Sequence, residues 1–336
     1  LFDQFKDLPA VVLGAGPSLS EFIDAYHEHS LQDKCLIIAC DASLKRLLDS
    51  GIKPHLVTRT ERKFTPIFKG VEKKDTKDIF YVAYPWCDPA FFDLFQRSFM
   101  MFRQNGVCKF ADPYSPGFVD GGVSSANAAL EIAFNLGCQQ IFLSGIDLCF
   151  LDGKSHAEGT QVEFDPENSR AKWTKIKANN GEEVTTIPVW GRCLQEYKGA
   201  LMKHAKGGHS VFNTSSRGAV IRGTKYILWV EASDRILSFK PINTKTPLER
   251  IQSKLDRHTQ SYAKTYQENK KALAKYLGEF CDDLEKLILS VQDQMLIGKR
   301  EEERTLEQLR AISDPDELYR HMTLASQQLC QAYNKP

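Results

Sequence analysis

Short apolar runs rich in β-branched residues recur at residues 11–13, 36–39, 55–58, 79–83 and 141–143, and each reads as a buried strand. Between them, residues 21–30, 44–50, 90–96 and 124–136 carry apolar side chains at helical spacing. Strands this uniformly apolar, alternating with helices, predict an α/β fold: a Rossmann-like, mostly parallel sheet with helices on both faces. Ligands of such sheets gather beyond the carboxyl ends of the strands.

The alternation breaks over residues 152–189, a polar excursion containing Gly and Asn that is too long for a connector and is expected to form a lid or acceptor loop. It resumes with a helix at 192–206, a strand at 211–213 and a turn at 214–218. After Thr246-Pro247, Leu273, Leu277, Phe280, Leu284, Leu287 and Val291 step along one helical face, and Asp314-Pro315 starts another helix. The expected division is therefore an α/β domain over residues 1–240, with 151–190 as an inserted lid, and an all-helical domain over 241–336.

Composition narrows the partners. The 336 residues are 42% hydrophobic and 26% charged, enough apolar material for a substantial core. Forty-four Lys and Arg against 43 Asp and Glu leave a formal net charge of +1, so no global field recruits nucleic acid or an anionic membrane. Nine cysteines without CxxC pairing fit a reducing cytoplasm, and no apolar run reaches the length of a membrane span. The chain opens on Leu1, and an amphipathic stretch leads almost directly into the first strand, the pattern of a piece cut from a longer protein.

Two strands end in glycine turns, Gly14-Ala15-Gly16-Pro17-Ser18-Leu19 and Ser144-Gly145-Ile146-Asp147. Glycine lets backbone amides approach a phosphate, and a following helix adds its positive end. Pro17 after the second glycine, with no third glycine, argues against a standard NAD site. Pro17 suits a first helical position, and Ser18 can bond a phosphate or cap the helix; a tight turn without ligand is the plain alternative. Asp41 stands where an acidic group meets a ribose hydroxyl, or caps the next helix together with Ser43. Glu61 ends the third strand between Arg59 and Arg62, suited to metal, sugar, acceptor or a structural ion pair. Gly121, Gly122, Ser124 and Ser125 form a third polar helix entrance. Asp147 and His156 bring a carboxylate and an imidazole to the same rim, where His156 can accept a hydroxyl proton, hold a leaving phosphate or serve as a structural hydrogen-bonder.

Taken together, Gly14 to Leu19, Asp41-Ala42-Ser43-Leu44, Gly51-Ile52-Lys53-Pro54, Gly121-Gly122-Val123-Ser124, Gly145-Ile146-Asp147-Leu148 and Asp152-Gly153-Lys154-Ser155-His156-Ala157 resemble the motility-associated factor (Maf) flagellin glycosyltransferases. That family shares its core domain with hydroxymethylpterin pyrophosphokinase-like proteins. The first turn and residues 143–147 are also similar to bacterial sialyltransferases that use CMP-sialic acid. The resemblance implies transfer of a nonulosonic acid (pseudaminic, legionaminic or sialic-type) from a CMP-sugar to Ser/Thr of flagellin, in support of flagellar assembly and motility. It implies Gly14, Gly16, Pro17 and Ser18 at the donor phosphate, Gly122, Ser124 and Ser125 beside cytidine or phosphate, and Asp41 near the ribose or sugar. Asn213 and Thr214 would complete the pocket, and His156, Asp147 and Glu61 would carry catalysis. Two motifs depart from the usual family forms: Thr60-Glu61-Arg62 after the third strand, and Gly145-Ile146-Asp147-Leu148-Cys149 after the central one.

Two alternatives predict different behaviour. A pterin pyrophosphokinase would hold Mg2+ on Asp41, Asp147 or Glu61 and release AMP from ATP, although no Walker lysine motif is present. A non-catalytic flagellin-binding module would use the amphipathic face of residues 273–295. Both the transferase and the binding module take flagellin as partner, and no reading calls for nucleic acid or a membrane span.

Overall fold

The computed structural model describes residues 3–61, 66–84, 86–103, 118–160, 173–240, 245–253 and 282. Among them, eight strands form one parallel sheet in the order β10-β9-β6-β1-β2-β3-β4-β5. These are β1 (Ala10–Leu13), β2 (Leu36–Cys40), β3 (Leu56–Arg59), β4 (Phe80–Ala83), β5 (Arg97–Met100), β6 (Gln140–Ser144), β9 (Ser210–Asn213) and β10 (Lys225–Tyr226). β7 (Thr174–Lys177) and β8 (Glu183–Thr186) make a separate antiparallel hairpin. The helices are α1 (Leu19–Glu28), α2 (Leu44–Asp49), α3 (Pro89–Leu94), α4 (Ser125–Leu136), α5 (Pro188–Lys203) and α6 (Trp229–Ser238).

Topology places the site. Ala10 of β1 pairs with Leu36 on one side and Ile141 on the other, so strand order reverses between β1 and β6. A crevice opens at such a switch point beyond the carboxyl ends, where both glycine turns fall. Burial makes the central strands apolar throughout: Val11, Val12, Leu13, Ile38, Leu143 and Phe142 are all fully enclosed. Each such side chain contributes roughly 1.5–3 kcal/mol on removal from water.

Helices cover both faces. α4 packs on β1, β2 and β3 and against α5, while α1 packs on β6 and against α6. Ala128, Ala129 and Ala133 are fully buried on α4, and their small side chains let that helix lie close to the strands. Ser124 caps its start, and Gly137, left-handed at φ +90°, ends it. On α1, Leu19, Phe22, Ile23 and Tyr26 face inward, and Phe22 meets the Trp229 ring of α6 at 5.4 Å.

The parallel sheet and its helices agree with the sequence reading, but four elements need correction. The expected helix 90–96 ends at Leu94, because Phe95 turns extended and leads into the edge strand β5. The helix expected from residue 192 starts at Pro188, whose ring fits the first helical position. The polar stretch 152–189 contains the β7–β8 hairpin, and β10 is a two-residue strand. Residues Leu1–Arg103 and Gly117–Lys254 make one unit. The second, Gln104–Pro116 with Leu255–Pro336, lies outside the described residues apart from Asp282, and with it the expected C-terminal helices. No helix among the described residues is long and apolar enough to cross a membrane.

Candidate functional site

At the switch point the two glycine turns lock into each other. Gly14 N donates to Ser144 O at 2.8 Å, Gly16 N to Gly145 O at 2.7 Å, and Gly145 N to Ser18 Oγ at 3.1 Å. A Cβ on Gly14 would stand 2.2 Å from Gly145 O, so only glycine allows the turns to meet.

Asp147 closes this lock. Its side chain is almost wholly enclosed; Oδ2 accepts the Ser18 amide at 2.9 Å and Oδ1 accepts the Ser215 hydroxyl. The chain's own carboxylate thus occupies the anion position at the positive end of α1. Burial pushes the Asp147 carboxyl above its ordinary range, and hydrogen bonds from Ser215 and Ser18 pull it back down. Glu21, one turn into α1, is also raised, first by burial and then by the Asp147 charge. A Cβ on Gly16 would lie 2.3 Å from Asp147 Oδ2, so the close approach that Gly16 permits is to this carboxylate.

The His156 loop joins the same turn. Ala157 N donates to Ala15 O at 2.8 Å, and the His156 Nδ1 lies 2.9 Å from Ser155 Oγ. Burial lowers the imidazole to about 4. At neutral pH the ring is therefore uncharged and a weaker base than free imidazole, able to exchange neutral hydrogen bonds but not to act as a cation on a phosphate.

Farther along the edge, Asp41 at the end of β2 is buried and ion-paired with Arg59 Nη1 at the end of β3. Arg59 also lies 4.9 Å over the Phe91 ring. Ser43 caps no helix; its hydroxyl donates back to Cys40 O at 2.8 Å. The start of α4 is fixed to β3, since Thr58 Oγ1 donates to Ser125 O at 2.7 Å and Thr60 N donates to Ser125 Oγ at 3.2 Å. Ser124 Oγ accepts Asn127 N at 3.1 Å and caps α4, and Gly122 sits left-handed at φ +62°. Arg103 donates to Gly122 O and to Tyr84 Oη, and lies 5.0 Å over the Tyr84 ring, which stacks on Trp86 at 4.3 Å.

Residues 1–153 match the family model of the 6-hydroxymethylpterin diphosphokinase MptE-like proteins. The structure is similar to that of the MAf glycosyltransferase from Magnetospirillum magneticum AMB-1, with a TM-score of 0.55 and 20% identity over 74% of this chain. The two chains share a fold. The match takes in 36% of that protein's chain, so this chain spans about a third of its length. No curated protein matches.

Within this fold the sequence-predicted residues fall into two groups on one sheet edge. Gly14, Gly16, Pro17, Ser18, Asp147 and the His156 loop meet at β1 and β6, joined from β9 by Ser215. Asp41, Ser124 and Ser125 gather at the ends of β2 and β3, with Glu61 exposed on the loop that follows. Asn213 and Thr214 are buried at the end of β9: Asn213 Oδ1 accepts Ser215 N at 3.1 Å, and Thr214 Oγ1 donates to Leu143 O at 2.9 Å. The Asn213 amide nitrogen is buried without a hydrogen-bond partner. The first turn differs from its expected phosphate role: the Gly14, Gly16 and Ser18 amides are spent on the β6 turn and Asp147, and Pro17 has none. The Mg2+ reading fits poorly, because Asp41 is held by Arg59 and Asp147 by Ser18 and Ser215. Among the described residues no group of three His, Cys, Asp or Glu side chains is arranged to hold a metal. Sequence reasoning did not single out Arg103, Tyr84 and Trp86, which pack beside the α4 entrance; Tyr84 directly follows the end of β4.

Proposed function

We propose that this chain is the core of a cytoplasmic glycosyltransferase that moves a nonulosonic acid from a CMP-sugar to a Ser or Thr hydroxyl of flagellin, in support of flagellar assembly. The observation that carries the reading is the tie of Ala157 N to Ala15 O, which seats a neutral His156 at the topological switch point of a sheet similar to that of the MAf glycosyltransferase. In this reading residues 1–240 bind donor and acceptor, with 151–190 as lid, followed by a C-terminal helical domain over 241–336.

The acceptor oxygen attacks the anomeric carbon of the sugar as the bond from that carbon to the phosphate oxygen breaks, and CMP leaves with the bonding pair. The hydroxyl proton passes to His156 Nε2, in the tautomer whose Nδ1–H donates to Ser155 Oγ and leaves Nε2 bare. The departing phosphate lies against the α4 entrance at Gly122, Ser124 and Ser125, because Asp147 already satisfies the α1 end. Gly14, Gly16 and Ser18 then shape the cleft floor, Asn213 and Thr214 its side, and Asp41 and Glu61 flank ribose or acceptor. Asp147 acts through the first turn, as a positioning residue.

Titrating the full chain with CMP and with ATP by calorimetry tests the reading directly. Binding of CMP in preference to ATP supports it. Tighter binding of ATP, with AMP released in the presence of Mg2+, replaces it with the diphosphokinase chemistry in the name of the matching family.

A further inference from the structure

A cluster of aromatic rings that the proposed chemistry does not use stands beside the His156 loop. Phe150 stacks on Trp173 with centroids 5.0 Å apart and planes at 27°, and the Trp190 ring meets Phe150 at 4.9 Å. Trp173 nevertheless remains 53% exposed, and Val189 beside Trp190 is 52% exposed. Trp173, held by stacking on Phe150 but half open, presents a flat apolar surface to solvent.

Strand geometry says what else this face carries. Phe150 N donates to Thr185 O at 2.9 Å and bridges β8 antiparallel, and Thr185 pairs in turn with Lys175 of β7. Directly opposed residues share a face, and side chains alternate along a strand, so Phe150, Thr185, Lys175, Trp173 and Lys177 project to one side of the hairpin. Lys177 faces Glu183 across the hairpin, whereas Lys175 faces Thr185, a residue without charge. On the opposite face Thr186 is buried and donates to Leu148 O at 2.7 Å. The chain segment that supplies Phe150 continues through the Leu151–Lys154 turn to His156.

We infer that the exposed face of Trp173, backed by Phe150 and flanked by Lys175, forms a binding platform for an acidic pyranose. The C–H face of a sugar ring lies flat against π faces, whose negative quadrupole attracts its polarised hydrogens. Lys175 adds the charge complement for a ring carboxylate and discriminates against neutral hexoses. This inference deepens the transferase reading and rests on it: the platform holds the acidic sugar beside the loop that handles the proton.

The test uses the full chain and free N-acetylneuraminate as probe, with methyl glucoside as the neutral control, read by saturation-transfer NMR. The acidic sugar is expected to bind about tenfold more tightly than the neutral one, and Trp173→Ala to weaken it by about tenfold or more, with Trp173→Phe close to wild type. Lys175→Gln should erase most of the preference for the acid. Unchanged binding in Trp173→Ala, equal binding of both sugars, or contact confined to a serine-containing acceptor peptide would overturn the inference. Melting temperature checks that Trp173→Ala stays folded, and Trp173→Phe keeps the test valid if it does not. CMP titration alongside separates the two claims. Wild-type chain that binds CMP but no acidic sugar sinks the platform alone; sugar bound at Trp173 without any CMP binding leaves the platform and sinks the transferase reading.

Discussion

The backbone amide of Ser18 donates to Asp147 Oδ2 at 2.9 Å, across 129 residues of sequence. A glycine turn leading into a helix is the usual receptacle for a phosphate, and here a side chain from the β6 turn fills it. The same carboxylate takes the Ser215 hydroxyl, so one buried group ties β1, β6 and β9 together at the switch point. The start of α4, near the end of β3, is another helix terminus on this edge, and the proposed reading puts the anion there.

Asp147→Ala should therefore act first on stability. It leaves the Ser18 amide and the Ser215 hydroxyl without a partner in an enclosed space, at about 2–4 kcal/mol in total. Asp147→Asn keeps an oxygen for Ser18 and should cost less. Urea unfolding followed by circular dichroism measures both; an Ala variant as stable as wild type would contradict the lock.

Glycine substitutions offer a contrast of sign. Gly14→Ala places a Cβ 2.2 Å from Gly145 O, a backbone atom that cannot yield, and should destabilise by about 3 kcal/mol or more. Gly199→Ala, inside α5 with nothing within 4 Å of the added Cβ, should stabilise by about 0.5–1 kcal/mol. Melting temperatures of the pair read the difference.

Asp41 is the residue whose role changes most between sequence and structure. Its carboxylate is buried against Arg59, so Asp41→Ala removes one member of an enclosed ion pair and should cost about 3–5 kcal/mol. Replacing both partners, as Asp41→Leu with Arg59→Met, should recover most of that loss. Chemical denaturation of the three variants checks this, and a double variant no better than Asp41→Ala would show that the pair is not the cause.

The fold was legible because burial of a parallel sheet leaves a plain trace: Val11 to Leu13 and Leu36 to Ala39 are apolar without interruption, and Ser124 with Gly137 brackets α4. β5 and β10 were not, since Arg97-Ser98-Phe99-Met100 lies at a sheet edge with one paired side and Lys225-Tyr226 is too short to show a period. The β7–β8 hairpin lay hidden because Thr174 to Lys177 turns one face to water and alternates lysines with shorter residues. Site residues were found by type and position at strand ends. Their pairings were not, because Asp41 with Arg59 and Asp147 with Ser18 depend on which strands become neighbours, and spacing along the chain carries no record of that.

Acid should weaken the fold through two histidines. Burial holds both His55 and His156 at about 4, and the His55 Nδ1 accepts Ile37 N at 3.0 Å, a bond that protonation would break. In the unfolded chain both rings titrate near 6.5. Between about pH 6.5 and 4 the unfolded state therefore binds more protons, and stability falls as pH drops through that window. Above it both forms are neutral and the contribution is constant. Asp147, raised by burial, works in the opposite direction at the acid end, so the comparison needs variants. Urea midpoints at about pH 7 and pH 4.5 should differ more for wild type than for His156→Asn; equal differences would mean that His156 stays solvated.

The same depressed basicity shapes the expected catalysis. A ring with its ordinary basicity would switch on near pH 6.5, whereas His156 at about 4 is already neutral throughout the physiological range. Release of CMP under kcat/KM conditions should therefore be flat from about pH 5.5 to 8, without an inflection near 6.5. His156→Ala should lower turnover by about a hundredfold or more, the loss of a general base, while CMP affinity stays within a few-fold because the ring does not carry charge to the phosphate. Turnover unchanged in His156→Ala would remove the imidazole from the chemistry. An equal loss of turnover and CMP affinity would instead assign His156 to holding the loop, through Ser155 and the Ala157 tie to Ala15.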